Sequence, residues 1–127
     1  MAADIVISFP GGARVDAAIG DMVIKTDQDG SAPSPFALFL ASMGTCAGIY
    51  VLSFCQQRGV PTEGIRIRQS MVSDPMTHMI SQVTLDIDLP VGFPEKYTAA
   101  LIRSAQLCAV KRHLENPPQF KIETHIG

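Results

Sequence analysis

Short apolar runs and alternating apolar positions mark the first part of the chain. Ile5, Val6, Ile7 and Phe9 form a short apolar run that Pro10-Gly11-Gly12 ends. Val15, Ala17 and Ile19 follow in alternation, Gly20-Asp21 offers a turn, and Met22, Ile24 and Thr26 alternate beyond it. This pattern predicts strands, the later two joined as a hairpin. Asp27-Gln28-Asp29-Gly30 reads as a polar loop. Ser34 then fits a helix N-cap, and Pro35 fits the first helical position.

From Phe36 to Cys55 the pattern changes. These 20 residues carry no charge, and none appears from Gly30 through Gln57. The segment predicts a helix that is apolar nearly all round and therefore buried on most sides. Gly59 and Pro61 supply its end. About 20 apolar residues also suffice to cross a bilayer, and Gly44 and Gly48 form a G-x-x-x-G pair suited to close helix contact. Ser42, Thr45 and Ser53 interrupt the segment, and no cluster of Lys or Arg flanks it. The reading is a core helix of a soluble protein, with no membrane partner.

The second half repeats strand and helix. Ile65, Ile67, Gln69 and Met71 share one strand face, with Arg66 and Arg68 on the other. Asp74-Pro75 is a turn. Val83, Leu85, Ile87 and Leu89 alternate with Thr84, Asp86 and Asp88, which predicts a half-buried strand. Pro94-Glu95 opens a second helix. Tyr97, Leu101, Ala105 and Cys108, with Arg112 beyond, follow helical spacing as far as Asn116. Phe120, Ile122, Thr124 and Ile126 alternate in a last strand. The predicted class is α+β with antiparallel sheet, in one domain over residues 1–127.

Composition narrows the function. The chain has 127 residues, 46% hydrophobic and 17% charged, with a net charge of −2. Charged residues are fewer than the usual quarter or so, which points to surface hidden in an oligomer. The absence of a basic excess argues against a nucleic-acid partner. Three cysteines suit a reducing compartment rather than a disulfide scaffold. The start, Met1-Ala2-Ala3-Asp4-Ile5, carries no secretory signal pattern, so a cytoplasmic location is expected.

The cysteines are the candidate chemistry. Cys46 sits mid-way along the apolar helix and Cys108 on the apolar side of the second helix; Cys55 follows Cys46 by nine residues. That places Cys46 and Cys55 about 13 Å apart along the axis, too far for a disulfide. A buried cysteine is ordinarily a small hydrophobe. A reactive Cys46 needs a nearby cation, because apolar burial raises a thiol pKa. Arg14, after a glycine-rich corner, is one source. A helix break at Gly44-Thr45, which would place Cys46 near a positive helix end, is another. The sequence has no C-x-x-C, H-E-x-x-H or G-x-S-x-G pattern and no P-loop, so it offers little for a metal site and nothing for a nucleophile elbow or a phosphate-binding loop.

Two stretches carry a family resemblance. Ser34-Pro35-Phe36-Ala37-Leu38-Phe39-Leu40-Ala41-Ser42-Met43-Gly44-Thr45-Cys46 resembles the central helix of the OsmC/Ohr family, the osmotically induced and organic hydroperoxide resistance proteins. Ser104-Ala105-Gln106-Leu107-Cys108-Ala109-Val110 resembles its later Ala-x-x-Cys-x-Val motif. The resemblance implies an OsmC-like intertwined homodimer with antiparallel sheets and two long central helices. It implies a thiol-dependent peroxidase for organic hydroperoxides, with Cys46 oxidised to a sulfenic acid and Cys108 resolving it as a disulfide. A dithiol reductant, lipoyl-linked or thioredoxin-like, would restore both thiols, and no metal or organic cofactor would be needed. Arg14 would correspond to the family's N-terminal arginine. One position departs from the pattern: Phe36 stands where family peroxidases usually carry Glu, so the usual Glu–Arg clamp cannot form. The alternative is a dimeric OsmC-like redox sensor, thiol carrier or apolar-ligand binder without efficient peroxidase activity.

Overall fold

The computed structural model describes residues 4–127. Met1, Ala2 and Ala3, read above for a secretory signal, lie outside the described residues. Two compact units are present, one running to Ser42 and the other spanning Met43–Gly127.

The first unit holds a three-stranded antiparallel meander, β1 (Ile5–Gly11), β2 (Arg14–Ile19) and β3 (Met22–Asp27), in the order β1-β2-β3. The expected turns are where the glycines place them. Gly12 has φ +59° and Gly20 φ +57°, a left-handed backbone that disfavours residues with a Cβ. Ile19 and Met22 pair directly across the second turn. Every residue of β1 is exposed, Ile5, Val6, Ile7 and Phe9 included. The loop after β3 is organised by Asp27, which is buried and accepts hydrogen bonds from the Asp29 N–H and the Ser31 hydroxyl.

Helix α1 (Pro35–Gln57) begins where Ser34 and Pro35 predict. The Ala37 N–H donates to Ser34 Oγ at 3.2 Å, satisfying one of the free donors of the first turn. At the other end the Val60 N–H reaches the Cys55 carbonyl at 2.9 Å, with Gly59 at φ +65°, the expected glycine stop.

In the second unit, α1 contributes Ala47, Val51, Phe54 and Cys55 as one buried face. The spacing of four, three and one residues is that of a single helical stripe. Against this stripe pack Leu101 and the inward side chains Ile65, Ile67, Ile87 and Leu89. The strands are β4 (Arg66–Ser73) and β5 (Ile80–Asp88), paired antiparallel. Their faces divide as predicted: Ile67 and Gln69 approach the helix glycines Gly48 and Gly44, while outward Arg66 and Arg68 both reach Asp88.

Three expectations change. First, burial of α1 is one-sided, not general: Phe36, Phe39, Ile49 and Leu52 are exposed. Second, the second helix is not continuous. A 3-10 turn at Glu95–Tyr97 leads into α2 (Thr98–Ala105), and α3 (Ala109–Glu115) follows after a break. Cys108 causes the interruption, with φ −46° and ψ 126°, an extended ψ that a helix cannot contain. The second of the two long central helices is therefore three short pieces. Third, Phe120, Ile122 and Ile126 are exposed, and residues 117–127 hold no strand. Among the described residues no strand pairs with them, and alternation without a pairing edge does not make a sheet.

Candidate active site

Cys46 projects from the middle of α1 and is half-buried; Cys108 is buried at the N-cap of α3; Cys55 is fully buried. The structure brings Cys46 and Cys108 together, close enough for each thiol to shift the other's titration. Cys108 Sγ also lies 4.0 Å from the Met43 carbonyl, one turn before Cys46. Cys55 is not part of this pair.

The break before α3 creates the site. In a continuous helix, the N–H groups of Ala109 and Val110 would be spent on carbonyls one turn back. With Cys108 extended, they are open donors, and both face the Cys46 sulfur. They draw the Cys46 thiol below its ordinary value. The Val110 N–H is the largest influence and the Cys108 thiol the next; burial opposes them, and the Ala109 N–H and the Arg112 charge add to them. Cys108 moves the opposite way. Burial pushes it up, and donation of its proton toward Cys46 pushes it further. Of the pair, Cys46 therefore ionises more readily and Cys108 keeps its proton to higher pH. Cys55 is raised by burial, which Arg58 partly offsets; that is the state of an inert core thiol.

The sequence offered a break at Gly44-Thr45 as a route to a positive helix end. The structure keeps α1 unbroken there and breaks the facing helix instead. Arg14 lies at the start of β2 in the first unit, where its guanidinium bonds Asp16 at 2.7 Å and its charge lowers Asp27. Arg112, in the last turn of α3, adds the smallest of the influences on Cys46. The signal for it was its spacing of four from Cys108, which set it on the same helical stripe.

A shallow cavity of about 170 Å³ in the second unit is lined by Gly48, Val51, Leu52, Ile65 and Ile67, with Thr62 and Arg66. None of the cysteines lines it. His113 bonds the Ala109 carbonyl through Nδ1 at 2.6 Å, and His78 sits in the β4–β5 turn with φ +61°.

The sequence profile described as OsmC-like protein matches residues 28–123, a span that contains all of α1, Cys46 and Cys108 but not Arg14. No curated protein sequence matches. Solved structures do. One is an osmotic stress induced and detoxification response protein from Psychrobacter arcticus 273-4, with TM-score 0.72, 19% identity and 85% of each chain covered. An OsmC-like protein from Mycoplasma pneumoniae gives TM-score 0.68 at 13% identity, covering 90% of this chain and 87% of that one. The organic hydroperoxide resistance protein OhrB of Bacillus subtilis gives 0.55 at 14% identity, covering 91% and 93%. At these identities the likeness is one of fold.

Proposed function

The chain belongs to the OsmC-like protein family, and from that premise we propose that it is a thiol-dependent peroxidase of organic hydroperoxides. The observation that carries this reading is the opposed pair: a lowered thiol at Cys46 beside a raised one at Cys108. Cys46 attacks as the thiolate. Its sulfur takes the terminal oxygen of the hydroperoxide, the O–O bond breaks, and the alkoxide leaves as alcohol after protonation. Cys46 is then a sulfenic acid. Cys108 attacks that sulfur, water departs, and the Cys46–Cys108 disulfide remains. A dithiol, lipoyl-linked or thioredoxin-like, returns both thiols by exchange and is itself oxidised to a disulfide. No metal or organic cofactor enters these steps.

The thiolate is held by the N–H groups at the start of α3, so the reading does not require the Glu that Phe36 replaces. Exposed apolar residues on β1, on β3 and on α1 support assembly as a homodimer, as does the low charge of the sequence. A cytoplasmic location and the absence of nucleic-acid and membrane partners complete the proposal. By length and composition α1 could cross a membrane, but it falls wholly inside the family match and packs one face into a protein core.

The alternative is a redox sensor, thiol carrier or apolar-ligand binder of the same fold, favoured by Phe36. Turnover separates the two. Wild type with cumene hydroperoxide and a dithiol should consume peroxide continuously, and Cys46→Ser should not. Consumption no faster than with Cys46→Ser would overturn the peroxidase reading and leave the alternative.

A further inference from the structure

The turn between β4 and β5 carries three metal-ligating side chains in four residues, Met76-Thr77-His78-Met79. Asp74 gathers all three. The Met76 N–H donates to Asp74 Oδ1 at 2.8 Å. The His78 N–H donates to the Asp74 carbonyl at 2.8 Å, and the Met79 carbonyl accepts from the Asp74 N–H at 2.7 Å. Thr77 locks the loop from within: its N–H donates to Asp74 Oδ1 at 3.1 Å, and its hydroxyl accepts from the Met79 N–H at 3.2 Å. Three backbones tied to one residue stay in one tight loop. The Cα atoms of Met76 and His78 are at most about 7.6 Å apart, and those of His78 and Met79 about 3.8 Å. The side chains lie outside this net. Met76 is 87% exposed and Met79 68%, and His78 is exposed. Among the described residues no hydrogen bond or ion pair engages either sulfur or the His78 ring.

His78 stands out a second time. Among the described residues it alone, glycines aside, has a positive φ, +61°, in a left-handed region that Gly enters without strain. Strained backbone of this kind gathers at ligand sites. Thioethers are soft donors that select Cu(I), and imidazole suits copper too. No group of three His, Cys, Asp or Glu side chains suited to a metal exists among the described residues, and only a soft ion accepts the sulfur donors of this loop.

We propose that the β4–β5 turn is a Cu(I) site, with the thioethers of Met76 and Met79 and one ring nitrogen of His78 as ligands. Each methionine is unbranched with three rotatable bonds, so both sulfurs can swing onto an ion held at the ring. Asp74 shapes the loop and stays out of the coordination, its Oδ1 already taken by two N–H groups. The site uses none of the cysteines and stands apart from the peroxide chemistry proposed for Cys46.

Thiols also bind Cu(I), so the experiment uses the full chain carrying Cys46→Ser and Cys108→Ser, which leaves only the fully buried Cys55. Wild type alkylated with iodoacetamide repeats it with every native residue in place. Methionine methyl groups are isotope-labelled, and Ag(I), a redox-inert stand-in for Cu(I), is titrated by NMR. The Met76 and Met79 methyl signals and the His78 ring signals should shift together and saturate at one equivalent. Met22, also exposed at 66%, is the internal control and should not move. Competition with the chelator bicinchoninate then gives the affinity for Cu(I). Met76→Leu and Met79→Leu conserve volume, and His78→Asn keeps a residue that accepts the left-handed backbone. Each should weaken Cu(I) by about tenfold or more. Equal shifts at Met22 would overturn the site, as would saturation beyond one equivalent or unchanged affinity in the three variants. So would shifts confined to the His78 ring, which would mark an imidazole binding alone.

Discussion

Cys46 and Cys108 lie side by side, and their thiols are displaced in opposite directions from the ordinary value. Neither displacement follows from the residues taken singly. Both cysteines sit in apolar surroundings, which alone raises a thiol pKa. The difference arises because Cys108 leaves the helix and exposes two N–H groups to Cys46, keeping its own proton.

The two cysteines should therefore fail differently. Cys108→Ser should still reduce one equivalent of hydroperoxide and should accumulate sulfenic acid at Cys46, trapped by dimedone as a covalent adduct. Cys46→Ser should give no adduct at any position. An adduct on Cys108 in that variant would reverse the assigned roles.

Stability should carry the same asymmetry with pH. A lowered Cys46 contributes stability that is full above the unfolded thiol pKa of about 8.5 and is lost as pH falls through its lowered folded value. Cys108 and Cys55 are raised. Their contributions are full below about 8.5 and are lost as pH rises through their folded values. Urea titrations should show Cys46→Ser losing ground to wild type as pH rises from neutral toward mildly alkaline. A constant difference would mean that Cys46 titrates alike in the folded and unfolded chains.

Cys55 is a core residue, and its variants should report on packing alone. Cys55→Ser places a hydroxyl in the site shared with Val51, Phe54 and Leu101, at a cost of about 1–3 kcal/mol if that hydroxyl finds no partner. Cys55→Ala should cost less. Alkylation and peroxide reaction at Cys46 should be unchanged in Cys55→Ala. Differential scanning calorimetry with parallel activity checks both statements.

Much of this fold was legible because its signals are local. Ser34, Pro35 and Gly59 mark the ends of α1 through capping chemistry that needs no knowledge of neighbours. The alternation at Ile65 to Met71 and Val83 to Leu89 fixes which side of each strand meets the helix. The break at Cys108 was not legible: Gln106, Leu107 and Ala109 are good helix formers, and no Gly or Pro marks the interruption. The strand expected at Phe120 to Ile126 had the right pattern, but a pattern cannot provide an edge to pair with. The pairing of Cys46 with Cys108 came from the family resemblance.

Gly44 tests how tightly β4 sits on α1. A Cβ there would lie 2.6 Å from Gln69 Oε1, the far end of a flexible side chain. Gly44→Ala gains up to about 1 kcal/mol of helix propensity and must displace that amide, so its net effect should be small. Combined with Gln69→Ala, which removes the obstacle, Gly44→Ala should be stabilising. Gly64→Ala should behave otherwise: φ is +84°, and the new Cβ would meet the Pro90 ring at 3.1 Å. A loss of about 1 kcal/mol or more is expected there. Thermal melts of the single and double variants decide both cases.

The central claim is that Cys46 and Cys108 work as one peroxide-reactive pair. Free-thiol titration of the reduced protein, before and after one equivalent of cumene hydroperoxide, tests it most directly when the products are mapped by peptide. The account predicts the loss of two thiols within seconds, a disulfide joining Cys46 to Cys108, and Cys55 still free. Survival of all three thiols for many minutes would contradict it.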